Sequence, residues 1–265
     1  MIRTVDEAQS AFGIIFPSYK FGQDNRAIIA DPENNSIMAS LSSIKGFSKS
    51  IGEHMYELSK YEYKDFLELL TKIEECGMMS SKLEQLIKIN YFDKFGGNKK
   101  LLAIFQEFTS GKLRYSSKHK EDTKIKRLAG LQEFSDNLPD EKMGIHQQID
   151  AENEILGNIH VTYPEINKRF LYVISVDTKF APRTEVYCLA IGKKDSIKIQ
   201  KNIYDNNIFY GGEIIYGKHF TKKPLVKFVD GLFENVEDQY QWWLDEYKVV
   251  PIEEFDTITR NNNAK

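Results

Sequence analysis

The spacing of apolar residues changes along the chain, and each change predicts a different kind of structure. Between residues 41 and 110, apolar positions recur every three or four residues, as in the segment Ile51–Leu58. This spacing places the apolar side chains on one face of a helix. Gly77, Gly96 and Gly97 interrupt the pattern at points where helices commonly end or begin. The pattern therefore predicts four or five short amphipathic helices joined by tight turns.

From residue 166 to residue 229 the pattern has period two, which is typical of β-strands. Five β-rich segments occur there, and they read FLYVISVD, EVYCLAIG, SIKIQ, GEIIYGKHF and LVKFVD. Short strands at this density predict a small closed barrel. After them, the segment NVEDQYQWWLDEY predicts an acidic helix, and the final NNNAK predicts a disordered tail.

The segments on either side of the helical region carry weaker signals. Before it, two short β-rich runs flank Asp31–Asn35, whose residue types favour a turn, so we expect a short hairpin. After it, residues 111–165 are polar and mixed. Their composition predicts a basic linker followed by a helical stretch that ends near Gly157.

The chain has 265 residues, 41% of them hydrophobic, and a formal net charge of -3, which are ordinary values for a folded globular protein. The charge is unevenly distributed. Residues 94–130 carry ten basic and three acidic residues, whereas residues 229–256 carry nine acidic residues and one basic residue. The basic block suits a polyanion, although a solvated helix and linker would have the same composition.

Several classes of function are disfavoured by the sequence. No long apolar run, signal-peptide pattern or cysteine cluster occurs, so we expect a cytoplasmic protein without a membrane partner. The motifs of P-loop enzymes, zinc proteases and serine hydrolases are absent, and the five histidines share no ligand spacing. Asp150 and Glu152 form a D-x-E pattern, but their helical, polar context favours a solvated helix face. We therefore predict no metal site and identify no catalytic centre in this chain.

The strongest functional signal is the turn Lys45-Gly46-Phe47-Ser48, which joins an apolar segment to the start of a helix. A glycine in such a turn lets the backbone approach a phosphate closely, and amides at a helix N-terminus bind anions. Lys45 and Lys49 add positive charge. This arrangement is that of a helix-hairpin-helix element, which contacts the DNA backbone rather than the bases. An ordinary glycine-containing turn between helices is the alternative.

Four segments then occur in a particular order along the chain. They are Gly13-Ile14 with Phe16-Pro17, Ser40-Leu41-Ser42-Ser43-Ile44-Lys45-Gly46, Leu86-Ile87-Lys88 with Phe92-Asp93 and Gly96, and Glu154-Ile155-Leu156-Gly157 with Tyr163-Pro164. In order and spacing they resemble the bacterial replicative DNA polymerase III alpha subunit, family C. The resemblance covers residues 10–165, depends on strand pattern and position over 166–229, and is absent from the acidic end.

The resemblance implies an α+β multidomain fold, in which a small tandem helix-hairpin-helix domain precedes a five-stranded OB-type β-barrel. The implied domains are an end-of-fingers-like segment (1–40), the tandem hairpin domain with its basic extension (41–130), a linker helix (131–165), the OB-like barrel (166–229), and an acidic helix with a disordered tail (230–265). Ser48 and Asn90 stand where the family has glycine. Ser48 weakens the expectation of close phosphate approach, whereas Asn90 tolerates a left-handed turn.

The family's palm domain, which carries its catalytic aspartates, has no counterpart in this sequence. The resemblance therefore implies a non-catalytic, DNA-binding portion of a polymerase alpha subunit that acts in DNA replication. The implied partners are primer-template DNA, a polymerase core in trans and, as a candidate, the sliding clamp. No cofactor is expected in this chain, and magnesium is expected only at a palm supplied elsewhere.

Three groups of residues are expected to make these contacts. The duplex-binding candidates are Lys45, Gly46, Ser48, Lys49, Lys99, Lys100, Lys112 and Arg114. The single-strand candidates are Tyr172, Lys179, Arg183, Tyr187, Lys193, Tyr210, Tyr216, Lys218 and Phe220, with about half of the aromatic residues expected in the barrel core. The clamp-binding candidate is Leu131, Gln132 and Phe134, for which packing of a helix end is the alternative.

Two other functions fit the same residues. One is a stand-alone phage or plasmid module that binds DNA, or a replisome or host protein, without polymerase activity. The other is a protein-interaction scaffold that has lost DNA binding, which Ser48 and the net negative charge favour. The acidic end would dock on a basic partner, cover the basic face as a DNA mimic, or only solubilise the chain.

Overall fold

The computed structural model describes residue 14 and residues 16–77, 81–229 and 232–263. Gly13 and most of the residues before Phe16, which contribute to the family resemblance, lie outside the described residues. The chain divides into two compact units, Met1–His160 and Val161–Lys265. The first is mainly helical and the second is mainly β-structure.

The first unit opens with a hairpin and continues as a series of helices. Strands β1 (Ile29–Asp31) and β2 (Ser36–Met38) pair antiparallel around the predicted turn, with Asn35 in the left-handed region. Short 3-10 turns occur at Leu41–Ser43 and Asp93–Phe95. The helices are α1 (Lys49–Ser59), α2 (Phe66–Glu75), α3 (Ser81–Lys88), α4 (Asn98–Ser110), α5 (Glu121–Asn137) and α6 (Ile145–Leu156). The predicted hairpin and the predicted run of short helices are confirmed.

Local hydrogen bonds explain where these helices begin and end. The Asp65 carboxylate accepts the Glu68 N–H at 3.0 Å and caps α2. At the end of α3, Asn90 takes a φ of +60°, and the Tyr91 N–H donates to the Leu86 carbonyl at 3.0 Å. This is the hydrogen-bond pattern of a Schellman motif, with asparagine at the position that usually holds glycine. The expectation that Asn90 preserves this turn is confirmed.

The core of the first unit is built from the apolar faces of these helices and from an aromatic cluster. Phe92 is fully buried, and its ring centroid lies 5.0 Å from that of Tyr91, 5.4 Å from that of Phe66 and 5.6 Å from that of Phe21. Edge-to-face and tilted pairs at such distances add to the free energy of burial. The turn that follows α3 is therefore part of the core and is held rigidly by it.

A series of buried side-chain hydrogen bonds connects α4 to α6. The Asn98 amide group donates to Gln148 Oε1 at 2.7 Å, and Gln148 donates in turn to Glu152 Oε1 at 2.9 Å. Glu152 also accepts the His160 N–H at 2.5 Å and is only 4% exposed. The prediction that Asp150 and Glu152 share a solvated face is wrong for Glu152, because this carboxylate satisfies buried donors. Asp150 is exposed.

The second unit is a closed barrel of five strands. They are β3 (Phe170–Asp177), β4 (Arg183–Cys188), β5 (Lys193–Ile199), β6 (Ile214–Val229) and β7 (Leu232–Val250), in the spatial order β3-β4-β5-β7-β6. Only the β5–β7 pair is parallel, and helix α7 (Lys201–Asn206) lies between β5 and β6 in the chain. A helical region followed by a five-stranded OB-type barrel is thus confirmed.

The last two strands differ from the prediction. The fourth and fifth predicted segments form one strand, β6, and the fifth barrel strand is β7, which includes the segment predicted as an acidic helix. That helix prediction is wrong. Leu244, Tyr247 and Val250 are buried at a spacing of three residues, which imitates a helix face, but pairing with β5 and β6 decides the structure. Helix α8 (Ile252–Asn263) then includes residues predicted to be disordered; Ala264 and Lys265 lie outside the described residues.

Candidate nucleic-acid interface

The first hairpin runs from Leu41 to the start of α1. Leu41, Ile44 and Phe47 are buried and anchor it to the core, while Lys45, Gly46 and residues 48–50 are exposed. Gly46 has a φ of +80°, a conformation that other residues adopt at a cost, and it turns the backbone outward. The Phe47 N–H donates to the Ile44 carbonyl at 3.0 Å and closes the turn. The anchored apolar residues thus hold an exposed glycine turn at the N-terminus of α1.

Ser48 is the residue that precedes α1. Its backbone is extended (φ −91°, ψ 158°), so this position does not require glycine, and the substitution relative to the family costs no backbone strain. Its side chain makes no cap hydrogen bond; Ser48 Oγ instead lies 2.8 Å from Ser50 Oγ. No side chain therefore caps the first turn of this 11-residue helix at Ser48, which leaves its amides directed outward, as an anion site requires.

Positive charge surrounds this turn. Lys45 and Lys49 are exposed, and the sequence contains no acidic residue between Ser36 and Gly52. A third cation comes from α3, because Lys82 Nζ lies 5.3 Å from the centroid of the Phe47 ring. A Cβ atom at Gly46 would lie 2.8 Å from the same Nζ. Lys82 was not among the predicted residues, and it lies far from the hairpin in sequence, so only the tertiary fold identifies it.

The second hairpin joins α3 to α4 and is arranged differently. The Gly97 N–H, at the N-terminus of α4, donates to Asp140 Oδ1 at 2.6 Å. The Lys100 N–H donates to the Glu141 carbonyl at 3.3 Å, and Lys99 Nζ lies 2.6 Å from Glu141 Oε2. The segment Asp140–Glu141 therefore occupies the amides and one of the two lysines that were predicted to bind phosphate.

The remaining duplex-binding candidates, Lys112 and Arg114, lie in the loop after α4. Arg114 lines a cavity of about 410 Å³, whose lining also includes Glu74 and Glu84. Lys112 is exposed in the loop after α4, and its carbonyl accepts a hydrogen bond from Arg127.

The clamp-binding candidate falls inside helix α5. Leu131 is completely buried, Gln132 donates to Asp136 Oδ1 at 3.0 Å, and Phe134 is half-buried. A helix that packs Leu131 into the core accounts for this placement, and it does not present these three side chains together on the surface.

The aromatic candidates of the barrel divide between core and surface. Tyr172 and Tyr187 are buried, and the Tyr187 hydroxyl donates to the Val161 carbonyl at 3.0 Å. Tyr216 is half-buried and packs edge-to-face on Phe170, with 4.9 Å between ring centroids. Tyr210 is 66% exposed. Tyr172 and Tyr187 are therefore excluded as stacking platforms in the folded barrel, as the alternation of strand faces predicts for about half of the set.

A cationic and aromatic surface lies on the outer face of β4, β5, β6 and β7. We call the set Arg183, Lys198, Lys223 and Trp243 the outer-face cluster. Arg183 pairs with Lys198 across β4 and β5, and Lys198 pairs with Trp243 across β5 and β7, so their side chains share one face. Lys223 Nζ lies 4.4 Å and Lys198 Nζ 5.7 Å from the Trp243 ring centroid. Such a ring beside several cations is what single-stranded nucleic acid requires.

The other predicted cations of the barrel occupy three separate environments. Lys179 is exposed in the β3–β4 loop, with Nζ 5.8 Å from the ring centroid of Phe180, which is 79% exposed. Lys193 lines the opening of a cavity inside the barrel. Lys218 forms an ion pair with Glu246 at 2.8 Å, which lowers the pKa of that carboxyl. Lys179 lies in the loop that leads into β4, whose first residue is Arg183 of the outer-face cluster.

Residues 18–102 match the family model described as Helix-hairpin-helix motif. The matched range contains both hairpins, the open one and the one occupied by Asp140. Curated proteins provide no match to the chain. The match and the barrel together indicate a DNA-binding role, which agrees with the coarser part of the sequence prediction. Within the described ranges, no helix has the length and apolar character needed to cross a membrane.

Three residues of the outer-face cluster are not among the residues that the sequence predicts as candidates. Lys198 and Lys223 lie in predicted strands or beside them, and Trp243 lies in the segment predicted as an acidic helix. A period-two reading of QWWLDE would have placed Trp243 and Leu244 on opposite faces of a strand, and that is the signal that was available. In the part of the chain that the structure describes, no group of three or more potential metal ligands occurs.

Proposed function

We propose that the chain is the non-catalytic DNA-binding portion of a replicative DNA polymerase alpha subunit. In this proposal the first hairpin holds the backbone of duplex DNA and the barrel holds single-stranded template. The helix-hairpin-helix match and the order of the four segments that resemble the family C polymerase support it. A polymerase core supplied in trans would carry the palm and its magnesium ions, and this chain would slow the dissociation of DNA from the assembly.

The observation that carries the duplex contact is the difference between the two hairpins. The first has an exposed turn at Gly46, with Lys45, Lys49 and Lys82 around it and no acidic residue within six positions of Gly46 in the sequence. In the second, the Gly97 N–H donates to Asp140, and Lys99 is paired with Glu141. A DNA phosphate would gain hydrogen bonds and charge neutralisation at the first hairpin, whereas at the second it would have to displace two carboxylates.

The single-strand contact is proposed for the outer-face cluster and the adjoining β3–β4 loop. Trp243 offers a stacking surface, and Lys198 and Lys223 lie beside it at the distances expected for cation–π contacts. Arg183 and Lys179 continue the positive charge toward the loop. Base stacking on one aromatic ring contributes about 1–3 kcal/mol and tolerates any base, so this surface would bind single strands with little sequence preference.

The test is fluorescence-anisotropy binding of the full chain to a primer-template junction, a plain duplex and a single strand, each over a salt series. Replacing Lys45 and Lys49 by alanine should weaken duplex binding and reduce the salt slope by about two, because each lost phosphate contact removes about 0.9 from the slope. The matched control is Lys99→Ala, which removes a lysine already paired with Glu141 and should leave the slope unchanged. Trp243→Ala should weaken binding to the single strand and to the junction, which contains single-stranded template, and should leave binding to the plain duplex unchanged.

The outcomes test three parts of the proposal separately, namely the duplex contact, the association with a polymerase and DNA binding itself. An unchanged salt slope in the double lysine variant would refute the first hairpin as the duplex contact. DNA binding without stable association with a family C polymerase core, measured by co-purification, would favour a stand-alone DNA-binding module. An absence of DNA binding at low salt would leave the scaffold interpretation.

A further inference from the structure

The barrel contains a cavity of about 270 Å³ that opens to solvent at exposed lining residues, Lys193 and Trp242 among them. Buried apolar side chains from three strands also line it, namely Leu171, Val186 and Ile197. These residues belong to the inner face of the barrel, whereas the outer-face cluster lies on the opposite side of the same strands, since Ile197 and Lys198 are adjacent in β5. The cavity is therefore a separate surface from the proposed single-strand site.

Two aromatic residues border the opening of this cavity. Trp242 pairs with Ile197 across β5 and β7 and is 43% exposed, and Phe220 comes from β6 and is half-buried. Gly217 makes the position of Phe220 possible, because a Cβ atom there would overlap the Phe220 ring. A small apolar cavity with two aromatic side chains at its opening accepts a flat ring system better than a flexible chain.

Charged residues at the same opening indicate which polar groups a ligand should carry. Lys168 and Lys193 are exposed cavity-lining residues, and neither forms an ion pair with another described residue. Asp195 lines the cavity as well, and its Oδ1 accepts the Ser196 N–H at 2.8 Å, which leaves Oδ2 available. Two cations would suit a phosphate, and a carboxylate oxygen would accept a hydrogen bond from an amino group.

We propose that this cavity binds one nucleotide, with its base stacked on Trp242 and Phe220 and its phosphate between Lys168 and Lys193. Asp195 Oδ2 would accept a hydrogen bond from the amino group of cytosine or adenine, which thymine lacks. The shared chemistry is a base with a phosphate, whether it comes as a free mononucleotide or as a residue of a single strand. The site does not depend on the first hairpin, so it can stand if the duplex contact fails.

A third aromatic residue, Tyr240, extends the site along the β6–β7 hairpin. Tyr240 lies two residues before Trp242 on β7, faces the same side and is 55% exposed. Lys222 Nζ lies 4.4 Å from its ring centroid. Alternate residues of a strand are about 6.8 Å apart, a spacing that successive bases of an extended single strand can match. A bound strand would therefore continue from the cavity onto Tyr240.

The test uses the full chain with Trp243→Phe, which leaves Trp242 as the only tryptophan. Quenching of its fluorescence is measured during titration with dCMP, with a hexamer of dC and with a hexamer of dT. Saturable quenching is expected, with the dC hexamer binding several-fold more tightly than the dT hexamer. Phe220→Ala and Lys193→Ala should each weaken binding by about tenfold, and Asp195→Asn should remove the preference for dC.

Each result bears on the proposal. Saturation with dCMP identifies a site for free nucleotides, whereas saturation only with the hexamers identifies a site for single strands. No saturable quenching by any of the three would overturn the proposal, and so would quenching that Lys193→Ala leaves unchanged, since this exposed residue can be replaced without disturbing the core. Quenching by a proline-rich peptide alone would assign the aromatic surface to a protein partner instead. The variant lacking Lys45 and Lys49 should bind as the parent does.

Discussion

Replacing Asn98 by alanine should destabilise the helical unit and leave the barrel intact. The Asn98 side chain is 1% exposed and makes three hydrogen bonds. Its amide group donates to Gln148 Oε1 at 2.7 Å and to the Lys88 carbonyl at 3.2 Å, and its carbonyl oxygen accepts the Met143 N–H at 2.8 Å. These contacts join the end of α3, the start of α4 and the segment before α6, so one side chain holds the second hairpin in place.

The expected cost follows from what the substitution leaves behind. A buried donor or acceptor without a partner costs about 1–3 kcal/mol, and alanine would leave the Met143 N–H, the Gln148 amide oxygen and the Lys88 carbonyl without this partner. The unpaired Lys88 carbonyl should add the smallest cost of these three groups. We therefore expect a loss of about 3–5 kcal/mol in the free energy of unfolding. With a urea m-value of about 2 kcal/mol per molar, the midpoint should fall by about 2 M.

The chain offers separate probes for its two units. Both tryptophans, Trp242 and Trp243, lie in β7, so tryptophan fluorescence follows the barrel, while circular dichroism at the helical band follows mainly the first unit. The Asn98→Ala transition should shift in circular dichroism and stay in place in fluorescence. Asn153→Ala, an exposed position on α6, is the control and should shift neither. A circular-dichroism midpoint within about 0.3 M of the parent would refute the hydrogen-bond argument.

Three further substitutions test particular features, each by urea unfolding. Gly46→Ala should cost about 1 kcal/mol, because alanine is strained at φ +80° and its Cβ would meet Lys82 Nζ at 2.8 Å. Asn90→Val should cost about 1–2 kcal/mol while Asn90→Gly costs almost nothing, because φ is +60° there. Burial raises the pKa of Tyr247 to about 12 from 10.0. The contribution of its neutral hydroxyl to the stability of the barrel is therefore intact below pH 10 and is lost as pH rises toward 12. Tyr247→Phe should make the fluorescence-monitored stability less sensitive to pH in this range.

The helical unit could be predicted well because its signals are local. The three-to-four spacing, the cap at Asp65 and the left-handed tolerance of Asn90 all act within a few residues of the chain. The buried hydrogen bond between Asn98 and Gln148 could not be predicted in the same way, because the two residues lie 50 positions apart. The same holds for Lys82 beside the first hairpin. Sequence patterns specify which residues face inward, but they do not specify which polar groups meet there.

The end of the barrel shows the opposite case, in which a local signal is misleading. The spacing of Leu244, Tyr247 and Val250 fits a helix, and the acidic residues around them resemble a solvated helix surface. The structure makes this segment a strand because a closed barrel needs a partner for both β5 and β6, and β7 supplies it. Long-range strand pairing thus overrides local periodicity, and it brings Trp243 to the outer face and Trp242 to the cavity.

The two hairpins also show that residue type alone does not determine which lysines have an acidic partner in the fold. Lys49 and Lys99 each lie in the first turn of a helix, and the sequence around each one includes glycine. They differ in what the fold places opposite them: Glu141 lies 2.6 Å from Lys99, whereas no described acidic group pairs with Lys49. A carboxylate held by Gly97 occupies an anion site as a phosphate would, and it also neutralises the helix dipole. The second hairpin therefore contributes to the stability of the unit, and under the proposed function the contact with duplex DNA is assigned to the first hairpin.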